Sequence, residues 1–253
     1  MVSNTRPLRP SSPFEESFVT RTLRIAFFCA LVLSGAARAN EAAVKQTLQK
    51  KYPGVSIDNV ARSPIPGLYE VYADGEILYV DEKANYLIVG GRLIDIARKA
   101  DVSSERMRTL SAVKFDQLPL DLAFRKVQGN GARKIAYFTD PNCPYCKQIE
   151  PALNKLENVT IYYFLYPVLG PDSVEKAKAV WCSKDRMRAW DDLMLNGNPP
   201  KAAGNCETPL EKILAFGRRK GITGTPTLFL ADGERVRGAV PFEQLKKLVD
   251  GAR

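Results

Sequence analysis

Two cysteines separated by two residues, Cys143-Pro144-Tyr145-Cys146, are the side chains in this sequence whose type and spacing point most directly to chemistry. A two-residue spacer lets two sulfurs meet across one helical turn, so the pair can cycle between dithiol and disulfide. The motif follows an apolar run, Ile135-Ala136-Tyr137-Phe138, and a turn, Asp140-Pro141-Asn142. It precedes a segment that carries Cys146, Ile149, Leu153 and Leu156 on one helical face. A strand-to-helix junction puts the first sulfur beside unpaired backbone N–H groups and the positive end of the helix dipole, which favours a thiolate. Pro144 in the first turn costs no hydrogen bond, because an N–H there has no intrahelical partner. Cys143 is expected to be the accessible nucleophile that attacks a substrate sulfur, and Cys146, deeper on the helix, the thiol that resolves the mixed disulfide. A structural disulfide and half of a zinc site are the competing readings of a C-x-x-C, and the strand-to-helix context disfavours both.

The absence of histidine sharpens this reading. Ser/His and Cys/His dyads, an imidazole base and His-ligated metals are excluded, so Cys143 must be activated by the helix start and its spacer residues Pro144 and Tyr145. Cys182 and Cys206 are too far apart in sequence to form a second zinc knuckle. No metal or other cofactor is expected. With 45% hydrophobic and 26% charged residues, the chain has an ordinary globular composition, neither disordered nor polytopic in a membrane. The net charge of +9 is spread in short pairs such as Arg218-Arg219 and Lys50-Lys51, which read as solvated surface and not as a nucleic-acid site.

Residues 1–39 read as an export signal. Arg21 and Arg24 precede the apolar run from Ile25 to Gly35, too short to span a bilayer, and Ala37-Arg38-Ala39 supplies the small residues of a cleavage site. No lipobox precedes Cys29 and the signal region has no twin arginine, so a soluble, Sec-exported protein is expected. Residues 1–39 hold five Arg and two Glu, and their removal lowers the net charge from +9 to +6. Cys29 leaves with them. Four cysteines remain for an oxidising compartment, where adjacency favours Cys143 with Cys146 and Cys182 with Cys206 among three connectivities. A Cys182–Cys206 bridge would close a loop over Asn196 to Pro200 and stabilise a helical insertion by about 3 kcal/mol.

The elements that must hold these residues fall into two regions and a connector. Ala43, Val44, Thr47, Leu48 and Tyr52 mark a short amphipathic helix ended by Pro53-Gly54. Strands are expected at 55–61, 69–72 and 77–80, the last two around the hairpin signal Asp74-Gly75, with 86–89 and 92–94 continuing an antiparallel meander. So small a unit buries only about 60% of its unfolded surface, and an open edge here would serve as a dimer surface. Asp101 or Ser103 can cap a connecting helix, with Phe115, Leu118, Pro119 and Leu122 following it. From Lys134 the order is strand, helix, strand (159–165), helical insertion (171–220), strand (227–230), hairpin at Asp232-Gly233 and closing helix. Thr225-Pro226 leads into the strand Thr227 to Leu230, where a proline either ends ladder pairing or is cis.

Cys-Pro-Tyr-Cys after KIAYFT, Thr225-Pro226-Thr227 before the strand Leu228-Phe229-Leu230, and the order of elements resemble a thioredoxin fold. That resemblance implies a cis-proline loop at Pro226 facing the C-x-x-C, with Thr225 contacting substrate backbone. The export signal, the small N-terminal sheet, the helical linker and the Cys182/Cys206 pair extend the match to the DsbC family of periplasmic disulfide isomerases. The resemblance implies an α+β chain with an N-terminal cystatin-like dimerisation domain (40–101), a helical linker (102–122) and a C-terminal thioredoxin fold with a helical insertion (123–253). It further implies a V-shaped homodimer acting on misfolded disulfide-containing exported proteins, and a membrane reductase of the DsbD type that keeps Cys143 and Cys146 reduced. Pro144-Tyr145 departs from the Gly-Tyr usual in these isomerases and is similar to the DsbG group, reductases that protect single cysteines from sulfenylation. The Cys182/Cys206 pair is more typical of DsbC, so isomerase is the favoured expectation.

Overall fold

The computed structural model describes residues 40–252. The export signal expected at 1–39, with its cleavage position at Ala39, lies outside the described residues. Among the described residues no helix is long and apolar enough to cross a membrane. By their internal contacts the described residues form two compact units, one comprising 40–55 with 60–70 and 79–87, the other 56–59, 71–78 and 88–252.

The chain begins with α1 (residues 40–51), whose Val44 and Leu48, four residues apart on one face, are buried. Pro53 follows the helix and has no N–H to continue it. Strands β1 (Ile57–Arg62), β2 (Leu68–Ala73), β3 (Glu76–Asp81) and β4 (Leu87–Ile88) form a sheet in sequence order. Asp74 and Gly75 join β2 to β3, both at positive φ (47° and 82°), as a two-residue hairpin turn demands. The next turn is closed by the Asp81 carboxylate, which accepts from the amides of Lys83, Asn85 and Tyr86.

The meander expected to run through Arg92 to Ile94 stops at β4. Instead β5 (Ile94–Asp95) folds back on β6 (Ala100–Asp101) as a separate two-stranded ribbon. The cause is local: the Asp95 carboxylate accepts from both the amide and the guanidinium of Arg98, reversing the chain after two residues. Asp101 then caps α2 (Val102–Ser111) by accepting from the Ser104 amide. The alternative cap, Ser103, is buried and instead accepts from the Leu93 amide. After α2 the chain makes two 3-10 turns, Phe115–Gln117 and Leu120–Leu122.

The remaining elements are β7 (Phe124–Gln128), β8 (Arg133–Thr139), α3 (Pro144–Asn154), β9 (Val159–Leu165), α4 (Pro171–Cys182), α5 (Arg186–Asn196), α6 (Leu210–Arg219), β10 (Thr227–Leu230), β11 (Arg235–Arg237) and α7 (Phe242–Gly251). The five strands are ordered β11-β10-β8-β9-β7. Within this sheet β8 and β9 run parallel, joined through α3, and the other pairs are antiparallel. The strand β7 has no signal in the sequence: of its residues FRKVQ only Phe124 is buried, and its ladder with β9 supplies the stability that its side chains do not.

Each central strand is buried on both faces, and the period-2 alternation sorts its residues between two cores. Ile135 and Tyr137 of β8, Ile161 and Tyr163 of β9, and Leu228 of β10 pack with Cys146, Ile149 and Leu153 of α3, Trp190 of α5 and Leu245 of α7. Ala136, Phe138, Phe164 and Phe229 face the other way, against Phe216 of α6 and against Val113 and Leu118 from the segment after α2. The parallel register sets Phe138 beside Phe164 with rings stacked 4.5 Å apart. The site described next sits at the C-terminal end of β8, where this double-sided packing fixes the backbone.

Candidate active site

The sequence of the β8–α3 junction explains its conformation. Pro141 follows the last strand residues, and Asp140 caps the turn by accepting the Asn142 amide on Oδ1 and the Cys143 amide on its carbonyl. Cys143 is the N-cap of α3, with extended backbone (φ −72°, ψ 117°), and Pro144 takes the first helical position. In place of the usual hydroxyl or carboxylate cap, the Cys143 sulfur accepts from the Cys146 amide at 3.3 Å. Cys143 and Cys146 are both free.

From the opposite side comes the loop before β10. The Thr225–Pro226 peptide is cis, and the Thr225 carbonyl accepts from the Cys143 thiol at 3.2 Å. The C-x-x-C and the Thr-Pro loop, read separately in the sequence, therefore meet at one atom pair. Tyr145 projects outward and is 62% exposed, a short distance along the chain from a sulfur that is not. The expectation of an accessible Cys143 needs correction here: the residue is 3% exposed, because Thr225 covers the sulfur. Cys146 is fully buried, and burial pushes its thiol up to about 12, against which the Thr139 hydroxyl and the Asp140 amide act weakly.

Cys182, at the end of α4, and Cys206 form a disulfide, with Cα atoms 5.7 Å apart, so the expected pairing is present. It closes the segment holding α5, and the Arg186 guanidinium stacks over Trp181 beside it.

One organiser of the site escaped the sequence reading. Asp140 is fully buried, although its place in Asp140-Pro141-Asn142 marks it only as a turn residue. Its carboxylate accepts four hydrogen bonds: Asn142 N and Ser173 Oγ on Oδ1, Val168 N and Leu169 N on Oδ2. It thus clips the segment between β9 and α4 to the cysteine turn. Asn142 reinforces the clip by donating to Asp172 and Ser173 and accepting from Lys176. Val168 and Leu169, held by Asp140 through their amides, leave their apolar side chains 43% and 53% exposed near the cysteines. No local pattern announces such a clip, since its partners lie about thirty positions away.

Comparison with known proteins agrees with this arrangement. The thioredoxin-like domain profile matches residues 120–253, and the disulfide bond isomerase protein N-terminal domain profile matches residues 35–104. The chain is 44% identical over 204 residues to the probable thiol:disulfide interchange protein DsbC of Bordetella parapertussis, covering 81% of this chain and 72% of that one. It is 28% identical over 244 residues to the thiol:disulfide interchange protein DsbC of Escherichia coli K12, covering 93% and 96%. Among solved structures it is similar to a disulfide interchange protein from Neisseria gonorrhoeae, with 38% identity and a TM-score of 0.51 over 53% of this chain and 98% of that one.

Proposed function

The chain belongs to the DsbC family of thiol:disulfide interchange proteins, and from that membership we propose that it rearranges non-native disulfides in exported proteins through the Cys143/Cys146 dithiol. It is a thiol–disulfide oxidoreductase. The observation that carries the finer reading is the Cys143 sulfur, set at a helix start with a backbone amide aimed at it and the Thr225 carbonyl 3.2 Å away.

In the proposed cycle the Cys143 thiolate attacks one sulfur of a wrong disulfide. A Cys143–substrate bond forms, the substrate bond breaks, and the departing sulfur takes a proton. Another substrate thiolate then displaces Cys143, which leaves the substrate isomerised and both protein thiols restored. When none is in reach, Cys146 attacks the Cys143 sulfur and the substrate leaves reduced. A membrane reductase of the DsbD type returns the oxidised pair to dithiol. Thr225 and Pro226 line the approach to the sulfur and hold substrate backbone. Pro144 and Tyr145 tune the couple, and the Cys182–Cys206 bridge is structural.

The reading also includes export to the periplasm after cleavage near Ala39, and a homodimer built through residues 40–101, joined by the linker 102–122 to the catalytic region 123–253. Support for the dimer comes from β4, an edge strand of the N-terminal sheet. Its Leu87 and Ile88, with the flanking Tyr86 and Val89, are exposed apolar side chains next to unpaired ladder groups.

Refolding of a scrambled disulfide-rich protein tests the proposal. Wild type accelerates recovery of native pairing and Cys143→Ala does not; equal rates would remove the redox role and leave a cysteine-independent folding chaperone. The Pro144-Tyr145 spacer favours one second reading, a DsbG-like reductase of sulfenylated single cysteines. That reading predicts reduction of a sulfenylated single-cysteine substrate with no gain in isomerisation.

A further inference from the structure

The loop that covers Cys143 is held at its far end by two arginines that the proposed cycle does not use. Thr225, whose carbonyl accepts from the Cys143 thiol, closes a segment that leaves α6 at Lys220. The alternation of β11 puts Arg235 and Arg237 on one face of the strand and Val236 on the other, in the core that holds Cys143 and Cys146. Arg235 lies opposite Phe229 of β10, and its guanidinium carbon stands 4.9 Å from the centre of that ring. Its Nη2 donates to the Lys220 carbonyl at 2.5 Å and its Nη1 to the Gly221 carbonyl at 3.0 Å. Arg237 Nη2 donates at 2.6 Å to the carbonyl of Gly75, in the β2–β3 turn. That turn sits on Gly221: a Cβ at Gly75 would come within 2.8 Å of the Gly221 oxygen, and one at Gly221 within 3.3 Å of the Gly75 Cα. All these residues belong to the second compact unit.

Arg235 is 8% exposed, and a cation so buried is costly unless it is well partnered. Its partners are main-chain carbonyls at the C-terminal end of α6, where unpaired carbonyls carry the negative end of the helix dipole. Burial pulls its ionisation from 12.5 down to about 10, so it remains a cation at neutral pH. Beyond Gly221 the segment is pinned carbonyl by carbonyl. Ile222 accepts from the Tyr166 hydroxyl at 3.0 Å, Gly224 from the Thr227 hydroxyl at 2.8 Å, and Pro226 from the Gly238 amide at 2.9 Å. Gly221, at φ 60°, is where the segment turns off the helix. Without a side chain it would be the loosest point of the segment, were it not gripped by Arg235 and backed by the turn at Gly75.

We propose that Arg235 and Arg237 are positioning residues for the reaction at Cys143: by fixing Gly221 and the β2–β3 turn against it, they seat the Thr225 carbonyl over the sulfur. The inference rests on the reading of Cys143 as the attacking sulfur and of Thr225 and Pro226 as the seat for substrate backbone. The seat has two consequences of opposite sign. It shields the sulfur, leaving Cys143 3% exposed. It also presents a fixed backbone group to a substrate chain, and a group oriented before binding lowers the cost of binding. Loosening the anchor therefore opens the sulfur to small reagents and weakens the hold on peptides. Gly75 lies 162 positions before Arg237, so the N-terminal sheet supports the active-site loop through its hairpin turn, a role separate from any part in dimer formation.

Alkylation of the reduced full chain by iodoacetamide, a small uncharged reagent, tests the shield, with the label on each cysteine read by mass spectrometry. Arg235→Met keeps an unbranched stem over Phe229 and removes the donors. It is expected to be alkylated about tenfold faster at Cys143, the factor that one net hydrogen bond to a charged group corresponds to, with Cys146 unchanged. Reduction of a cystine-bridged peptide, with glutathione as the reductant, tests the seat. KM is expected to rise about fivefold in Arg235→Met with kcat within about twofold of wild type, the pattern of lost binding. Arg237→Ala moves both readouts the same way by less, and Arg235→Lys, which keeps a cationic donor, recovers part of each. Alkylation of Cys143 at the wild-type rate, or equal acceleration at Cys143 and Cys146, which marks a general loosening, overturns the proposal. If Arg235→Met does not fold, unchanged Cys143 alkylation in Arg237→Ala does so alone. With Ellman's reagent the proposed cycle gives two thionitrobenzoate phases, Cys143 attack and then Cys146 resolution. A first phase that persists in Cys143→Ala sinks the attacking-sulfur assignment itself, so the two failures are told apart.

Discussion

The Cys143 thiol donates to the Thr225 carbonyl across 3.2 Å although the two residues are 82 positions apart. Their meeting follows from strand register. β10 pairs antiparallel with β8, Thr227 opposite Phe138, so the chain entering β10 and the chain leaving β8 emerge at the same sheet end. A nucleophile at the helix start and a backbone carbonyl beside it are thereby held by a ladder and two cores and not by a flexible loop.

The proposed cycle gives the two sulfurs separate duties, and on it Cys146→Ala is expected to accumulate mixed disulfides with client proteins, visible as reducible high-mass bands on gels. Cys143→Ala forms none. Equal trapping by both variants would show that the assignment of attacking and resolving sulfurs is wrong.

Replacing Cys182 and Cys206 together by serine should lower unfolding free energy by about 3 kcal/mol, the chain-entropy value for a loop of this length. The rate of Cys143 attack on Ellman's reagent should stay as in wild type. Urea denaturation and the first thionitrobenzoate phase measure the two.

Asp140→Ala leaves the buried Ser173 hydroxyl and the partly buried amides of Asn142, Val168 and Leu169 without their acceptor. A loss of about 2–4 kcal/mol follows from the cost of orphaned buried donors. Hydrogen exchange of the Val168 and Leu169 amides should accelerate more than that of the β8 ladder; uniform acceleration would argue that the clip is not local.

Glu150 of α3 is fully buried and sets a pH dependence of stability. Between 4.5 and about 8 the folded chain holds a proton that the unfolded chain has released, so stability falls as pH rises through that window. Glu150→Gln lacks this dependence. Its advantage over wild type should be absent below 4.5, grow to the order of a few kcal/mol by about pH 8 and stay level above, as read from urea midpoints across that range.

A charge on the open edge of the N-terminal sheet should break the proposed dimer. Ile88→Lys places an ammonium on β4, where edge strands use lysine to prevent pairing. Light scattering is expected to give a monomer mass for the variant and a dimer mass for wild type. A dimer in both would move the interface elsewhere.

Much of the site was legible in the sequence because its signals are local. A C-x-x-C between an apolar strand and an apolar helical stripe, with proline at the second position, specifies an N-cap sulfur whatever surrounds it. Thr225-Pro226 ahead of an apolar run marks a special loop in the same way. The misreadings have physical causes too. β7 is a strand by virtue of its partner β9, and of its own residues, three of them polar, only Phe124 is buried. The apolar residues from Arg92 to Ile94 point to a continued meander, and Asp95 with Arg98 turns the chain aside.

What the sequence by itself determined, then, is the inventory: a dithiol at a helix start, a second cysteine pair, no imidazole, and a Thr-Pro loop before a buried strand. Tertiary structure decided which of these atoms meet and how wet they are. It covered Cys143 with Thr225, clipped the cysteine turn to Val168 and Leu169 through Asp140, and set the Glu150 carboxylate, on paper an ordinary charged helix residue, against the sheet behind Cys146. These outcomes depend on strand register and on two-sided burial, which bring together residues tens of positions apart and remove them from water. Both the proximity and the desolvation are properties of the packed chain, and no window of local sequence contains them.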